Sequence, residues 1–166
     1  MHLMNALSAD VIAAQLKLEP LAHEGGVFRE IYRATTPAAA ARSRSCATII
    51  YYLLRGGQRS AFHAVAADEI WLFLAGSSSR QLLLFADGQW TERKLGWSGD
   101  GPAELHSVIP AGTWQATRLC NETADAWALF ACIVAPGFEY SDYTGGTMEN
   151  LRRQYPDAAQ LIEEFA

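Results

Sequence analysis

Apolar and polar residues alternate along many short segments of this 166-residue chain, a pattern that is typical of β-strands. Glycine and proline separate most of these segments, and Asp87-Gly88 is a strong hairpin signal. Many short strands at close spacing indicate a β-sandwich or barrel. The predicted strands are Val27–Tyr32, Cys46–Leu54, Ser60–Val65, Glu69–Leu74, Arg80–Phe85, Trp90–Leu95, Leu105–Ile109, Trp114–Leu119 and Trp127–Val134.

Helical patterns lie near the two ends of the chain. A short helix is predicted after Ser8, which can cap its first turn, and Pro20 ends the pattern. Two further short helices are predicted at Thr147–Tyr155 and Pro156–Phe165, and the segment from Ala34 to Arg42 is expected to be a flexible loop. Because no repeat or long linker divides the sequence, residues 1–166 are expected to form one domain.

Composition and charge narrow the function classes. Hydrophobic residues make up 50% of the chain and charged residues 19%, which is a globular balance. The formal net charge is −5 and no basic cluster stands out, so nucleic acid is not an expected partner. Three cysteines without CxxC spacing do not indicate a disulfide framework. The sequence shows neither a signal-peptide pattern nor an apolar run long enough for a membrane, so we expect a cytoplasmic location.

The residues that indicate chemistry lie in the middle of the chain. Side chains alternate between the faces of a strand, so Glu69, Trp71 and Phe73 are expected to share the inward face of theirs. A carboxylate beside two aromatic rings is typical of a small-molecule pocket. His63 ends the preceding strand and is expected to approach Glu69 across a short turn.

The spacing around His63 resembles a known motif. Gly57, His63, Glu69 and Gly76 match the first cupin motif, G-x5-H-x-H-x3-E-x6-G, but Val65 replaces its second histidine. Downstream, the six residues PAGTWQ resemble the second motif, P-x-G-x-x-H, with glutamine in place of histidine. The glycine that precedes this second motif and the asparagine that follows it are both absent.

Four further blocks, in the same order, resemble cupin family 5, a family of unknown function. They are His23–Glu30, Thr48–Leu54, Asp68–Trp71 and Val134–Glu139. The resemblance runs from about Leu18 to about Tyr155. It implies an all-β, double-stranded β-helix, which is a jelly-roll-like barrel, with short helices at its ends. It also implies a homodimer, but no settled reaction.

The resemblance leaves the metal question open. Cupins with the full motifs hold a metal ion with three histidines and a glutamate. Here His63 and Glu69 remain, and Gln115 can offer only a carbonyl oxygen, a weaker ligand than imidazole. One divalent ion held by His63, Glu69 and Gln115 is therefore one alternative. A metal-free His–carboxylate pair that moves protons is a second, and a purely structural pair is a third.

Other side chains are candidates for binding a ligand inside the barrel. Tyr51 and Tyr52 point to opposite faces of their strand, so one of them is expected to reach the interior and serve as an acid. Aromatic rings can stack on a ligand, an arginine can bind a negatively charged group, and a histidine before Gly25-Gly26 can reach the barrel mouth. These additional candidates are Trp71, Phe73, Arg59 and His23, and Gln115 is a candidate for binding a ligand as well as a metal ion.

Three functions follow as hypotheses. In the first, the barrel binds a small polar metabolite, a sugar or an organic acid, and catalyses a proton transfer such as epimerisation or isomerisation. Metal-free sugar-nucleotide epimerases offer the analogy, with His63 as the base, Glu69 as its orienting partner and Tyr52 or Tyr51 as the acid. In the second, the same pocket binds or senses a ligand without turnover. In the third, the chain is a metal-dependent enzyme that uses His63, Glu69 and Gln115.

Overall fold

The computed structural model describes residues 7–38, 41–97 and 103–166, with residues 41–43 described by their backbone alone. The helices are α1 (Ala9–Leu16), α2 (Met148–Gln154) and α3 (Ala159–Glu164), with 3-10 turns at Tyr140–Asp142 and Pro156–Ala158. The strands are β1 (Glu19–Pro20), β2 (Val27–Arg33), β3 (Pro37–Ala38), β4 (Ala41–Ser45), β5 (Thr48–Arg55), β6 (Arg59–Val65), β7 (Asp68–Gly76), β8 (Ser79–Leu84), β9 (Trp90–Leu95), β10 (His106–Ile109), β11 (Trp114–Leu119), β12 (Trp127–Ala135) and β13 (Tyr143–Gly145).

Most of the strands form two antiparallel sheets. The large sheet has the order β1-β2-β5-β12-β7-β10, and the small sheet has the order β13-β6-β11-β8-β9. Neighbouring strands in these sheets are often far apart in sequence, as in the pairing of β12 with both β5 and β7. The chain therefore passes repeatedly from one sheet to the other, as the predicted jelly-roll-like barrel requires.

The inner faces of the sheets enclose an aromatic core. On β7 the side chains of Glu69, Trp71 and Phe73 are buried, while the alternate residues are more exposed, which confirms the predicted alternation. The Trp71 ring packs edge-on against Tyr52 and at a tilt against Phe130, with centroids 5.4 and 5.1 Å apart. Edge-to-face pairs of this kind stabilise the core beyond the gain from burying the rings.

The short helices cover the outer faces of the sheets. Ser8 caps α1 by accepting a hydrogen bond from the Val11 amide, and Ile12 packs on the large sheet. At the other end of the chain, Leu151 and Ile162 from α2 and α3 pack against the outer face of the small sheet. The predicted helices at both ends are thus confirmed, and each buries an apolar stripe that would otherwise face water.

The prediction of a flexible loop between Ala34 and Arg42 is wrong in part. Pro37–Ala38 and Ala41–Ser45 pair as a two-stranded sheet, while residues 39–40 lie outside the described parts of the chain. The Arg44 guanidinium fixes this hairpin by donating to Asp142 and to the carbonyl of Gly137. These partners come from a distant part of the chain, so local composition did not reveal them.

Short strands were also missed at Glu19–Pro20 and Tyr143–Gly145, both at sheet edges. Nine predicted strands are present with their ends shifted by a few residues. Within the ranges given above, the structure contains no helix with the length and apolar character needed to cross a membrane.

Candidate functional site

A cavity of about 210 Å³ lies between the two sheets. Its walls are mainly apolar, and its polar groups are mostly carboxyl, imidazole and phenol side chains. The lining residues are Leu21, Glu24, Phe28, Glu30, Arg33, Thr48, Ile50, Tyr52, His63, Val65, Glu69, Trp71, Cys132, Val134, Phe138, Glu139, Tyr140 and Tyr143. An apolar cavity with a few convergent polar groups is typical of a small-molecule site.

The Gly25-Gly26 pair brings Glu24 into this cavity. Both glycines have positive φ, and a Cβ at Gly25 would lie 2.4 Å from the Arg59 carbonyl oxygen. A Cβ at Gly26 would lie 2.9 Å from the Tyr52 side chain. Only glycine allows this close approach without strain. The chain therefore lies against the start of β6, where the Glu24 carboxylate accepts a hydrogen bond of 2.8 Å from the Ser60 hydroxyl.

His63 is held in one orientation on β6. Its Nδ1 lies 2.8 Å from the carbonyl oxygen of Ala61, and because a carbonyl can only accept, Nδ1 carries a proton. The ring also stacks on Tyr143, with centroids 5.4 Å apart and planes 16° from parallel. The second ring nitrogen, Nε2, is then the one left for chemistry.

The His63 Nε2 atom faces a carboxylate that it does not contact directly. It lies 3.8 Å from Glu24 Oε2, which is beyond hydrogen-bonding distance. The His63 and Glu24 side chains are only 3% and 13% exposed, so the pair lies in the wall of the cavity, largely shielded from bulk water. The gap leaves both atoms available to a small molecule.

Glu69 enters the cavity from the large sheet, opposite His63. Gln115, which pairs with His63 across β11 and β6, donates a hydrogen bond of 2.6 Å from Nε2 to Glu69 Oε2 and so connects the two sheets. Burial raises the pKa of Glu69 from 4.5 to about 7, although the interaction with His63 acts to lower it. The negative charge of Glu24 raises this pKa further, while the hydrogen bond from Gln115 lowers it.

Tyr52, Trp71 and Cys132 also line the cavity. The Tyr52 hydroxyl donates to the Gly25 carbonyl at 3.0 Å, and burial raises the pKa of this phenol well above 10. The indole Nε1 of Trp71 is buried without a well-formed hydrogen bond, although it lies close enough to Glu69 to lower the pKa of that carboxyl slightly. Burial also raises the pKa of the Cys132 thiol, so this sulfur is a poor nucleophile.

Arg33 closes one side of the cavity mouth. Its guanidinium donates to Glu30, to Glu139 at 2.8 Å and to the carbonyl oxygen of Phe138. Two carboxylates therefore already neutralise the only arginine that lines the described cavity. The exposed ring of Tyr140 lies beside this cluster.

The structure brings four of the candidate residues into the cavity, namely His63, Glu69, Tyr52 and Trp71. Gln115 does not line it and lies behind Glu69 as a hydrogen-bond partner. Phe73 shares the inward face predicted for it but packs into the core against Phe130, deeper than the cavity.

Three other candidates lie elsewhere, which corrects their assignment to the ligand site. Tyr51 packs beneath α1 on the outer face of the large sheet, because the register of β5 turns Tyr52 inward. Arg59 lies outside the cavity and is 3.9 Å from Glu122. His23 is exposed in the turn before Gly25, where its backbone accepts a hydrogen bond from Tyr143.

Glu24 is the principal residue that the sequence did not reveal. The sequence pattern indicated His23 as the candidate in this turn, whereas the structure buries the Glu24 carboxylate beside His63 and exposes His23. The Gly-Gly pair that follows it was the available signal, since consecutive glycines mark a close approach of the backbone to another segment. Tyr143 was also missed, because its strand has only three residues.

The predicted metal ligands do not form a convincing donor set. In the described ranges, no group of three or more His, Cys, Asp or Glu side chains is arranged to hold a metal ion. Gln115 turns its amide nitrogen, which is a donor and not a ligand, toward Glu69, and it does not line the cavity. A metal ion therefore does not fit the residues at this site as they are arranged.

The comparison with protein families agrees with the fold and with the motif around His63. The family model described as "Cupin superfamily (DUF985)" matches residues 10–145, which is most of the chain. The chain belongs to this cupin family. The match includes Glu24, His63, Glu69 and Tyr143, so the residues that line the cavity of this cupin lie within the matched range.

The names of three proteins similar to this cupin state no activity. An uncharacterised protein of Saccharomyces cerevisiae is 27% identical over 134 residues, which cover 73% of this chain and 67% of the yeast protein. A solved structure from Shewanella oneidensis is 31% identical, with a TM-score of 0.85 and coverage of 96% of this chain and 98% of that one. A hypothetical protein from Leishmania major, 24% identical over 96% of this chain and 99% of its own, has a TM-score of 0.83 and shows the same fold.

Proposed function

We propose that this cupin binds a small polar metabolite in the cavity and catalyses a proton transfer on it, such as an isomerisation or epimerisation. The observation that carries this proposal is the placement of His63 and Glu69 on opposite walls of one cavity. In this proposal His63 Nε2 removes a proton from the substrate and Glu69 supplies a proton to the opposite side. The apolar walls exclude water from the reacting atoms.

The electrostatics of the two groups support these roles. A general acid or base works best when its pKa lies near the working pH. The pKa of Glu69 is about 7, so both its protonated and its ionised forms are populated near neutrality. The hydrogen bond from His63 Nδ1 to the Ala61 carbonyl fixes the tautomer with Nε2 as the base.

The same reasoning moves the acid role away from Tyr52. Its hydroxyl proton is directed to the Gly25 carbonyl, and burial raises its pKa well above 10. A phenol that already donates to the backbone is less suited to protonate a substrate than a carboxyl with a pKa of about 7. We therefore assign Tyr52 to shaping the wall of the cavity and holding the Gly-Gly turn.

A deuterium-exchange assay tests the proposal. The protein is incubated in D2O with a panel of small aldoses, ketoses and hydroxy acids, and proton NMR follows the loss of carbon-bound hydrogen. Wild-type protein is expected to exchange hydrogen into at least one substrate. The variant His63→Asn, whose amide can retain the bond to Ala61, is expected to lose this exchange.

A matched control separates the site from the scaffold. His106 is an exposed histidine on β10, outside the cavity, so His106→Asn is expected to exchange at the wild-type rate. Exchange that persists in His63→Asn would contradict the assignment of the base. Ligands that raise the melting temperature but never exchange hydrogen would indicate a binding or sensing module instead.

A further inference from the structure

We propose that the ligand of this cavity carries a protonated amine and that Glu24 is its counter-ion. The inference rests on the proposed function in one respect, since it concerns the ligand of the same cavity. It adds the charge of the ligand, which neither the fold nor the motif around His63 specifies. It also argues against organic acids, which the sequence analysis kept as candidate ligands.

The charges around the cavity are strongly one-sided. Among the lining residues given above, four carry carboxyl groups and only one carries a guanidinium; the carboxyl residues are Glu24, Glu30, Glu69 and Glu139. Arg33 is already paired with the two glutamates at the mouth. The interior therefore holds Glu24 and Glu69 with His63 as its only titratable basic group, and a bound carboxylate or phosphate would meet repulsion.

Glu24 has an oxygen available for a ligand. Its Oε1 accepts the Ser60 hydroxyl, which fixes the carboxylate. Its Oε2 is 3.8 Å from His63 Nε2, too far for a hydrogen bond, and Glu24 lines the cavity. An ammonium group bound in the cavity beside Oε2 would form a charge-assisted hydrogen bond with a carboxylate that is already held in position.

Aromatic rings complete a surface that suits a cation. The rings of Tyr52, Trp71, Phe28 and Tyr143 all line the same cavity. The face of an aromatic ring attracts a cation within about 6 Å of its centre, and the attraction is stronger when the site is shielded from water. The cavity therefore offers an alkylammonium ligand both a carboxylate as counter-ion and aromatic rings that attract its positive charge.

Trp71 supplies an independent observation. Its side chain is 1% exposed and its indole N–H has no well-formed hydrogen bond, while it lies near the Glu69 carboxyl. The indole N–H is a donor, so its partner in the cavity would be an oxygen acceptor on the ligand and not the ammonium group itself. A ligand that carries both an ammonium group and a hydroxyl or carbonyl oxygen would satisfy Glu24 and Trp71 together.

Three probes of similar shape and different charge test the proposal: benzylammonium, benzyl alcohol and benzoate. Their binding to the wild-type protein is titrated at pH 7.5 by ligand-observed NMR. Benzylammonium is expected to bind about tenfold more tightly than benzyl alcohol, since one charge-assisted contact corresponds to about that factor. Benzoate is expected to bind more weakly than both. Equal binding of the three, tighter binding of benzoate, or no binding by any of them would overturn the proposal.

Variants locate the effect at Glu24. Glu24→Gln keeps the size of the side chain and its acceptor for Ser60, so it is expected to remove the preference for benzylammonium while benzyl alcohol still binds. Glu149→Gln removes an exposed carboxylate from α2 and is expected to keep the preference. A preference that survives Glu24→Gln would overturn the assignment. These titrations involve no turnover, so they separate this proposal from the proton transfer that the D2O assay tests.

Discussion

The raised pKa of Glu69 makes the stability of the protein depend on pH in a specific direction. In the native state the Glu69 carboxyl keeps its proton up to a pH of about 7, whereas in the unfolded chain it ionises near its ordinary pKa of 4.5. Between these pH values the native state binds more protons than the unfolded state. The contribution of Glu69 to stability is therefore fully present below pH 4.5 and is lost as the pH rises to about 7.

The size of this effect follows from the two pKa values. A difference from 4.5 to about 7, at about 1.4 kcal/mol for each pH unit, corresponds to about 3 kcal/mol of unfolding free energy. Glu69→Gln removes the titrating group and retains an oxygen that can accept the Gln115 hydrogen bond. Because part of this loss occurs below pH 5, we expect the variant to gain about 2 to 3 kcal/mol on the wild type between pH 5 and pH 8.

Urea unfolding at pH 5, 6, 7 and 8 measures this difference. At each pH the unfolding free energy of the wild type is subtracted from that of the variant. The change of this difference with pH reports on Glu69, because the other titrating groups are the same in both proteins and cancel. Glu149→Gln, which changes an exposed carboxyl, serves as the control and is expected to show no comparable trend. If Glu69→Gln and the wild type differ by the same free energy at pH 5 and pH 8, the desolvation argument for Glu69 is wrong.

Three further outcomes are expected. Tyr52→Phe removes the buried hydrogen bond to Gly25 and should lower the unfolding free energy by about 1 kcal/mol in urea titrations; an unchanged midpoint would argue against that bond. Ile162→Ala empties a fully buried position between α3 and the small sheet and should cost about 3 kcal/mol, whereas a loss below 1 kcal/mol would mean that α3 does not pack as described. The family resemblance predicts a homodimer, and we propose Leu74 and Val108, both exposed on the large sheet, as part of its contact. Light scattering should then show a dimer that Val108→Asp dissociates, and a monomeric wild type would refute this.

Much of the fold could be predicted from local pattern. The alternation of apolar and polar residues located nine strands, and the turn residues between them located their approximate ends. Ser8 and Pro156 marked the beginnings of helical segments because capping and the fixed φ of proline act within one turn. The missed strands β1 and β3 have two residues each, too few for any periodicity to appear.

The candidate site was predicted only in part. The motif spacing placed His63 and Glu69 on consecutive strands, and alternation placed Trp71 beside Glu69. Gln115, predicted as a ligand-binding residue, does not line the cavity, because its amide nitrogen donates to Glu69 from behind. The location of Glu24 depends on a loop that folds against Ser60, more than thirty residues away in sequence, and no local pattern describes that contact.

The sequence by itself determined most of the β-strands, the turns and the presence of a histidine and a carboxylate on consecutive strands, because these depend on residues close in the chain. The tertiary structure alone decided which of Tyr51 and Tyr52 faces the cavity, since the register of β5 against β12 sets the face of every side chain on that strand. It also decided the charge of the cavity. Glu24 and Glu69 come from opposite walls, and only the packing of the two sheets removes both from bulk water.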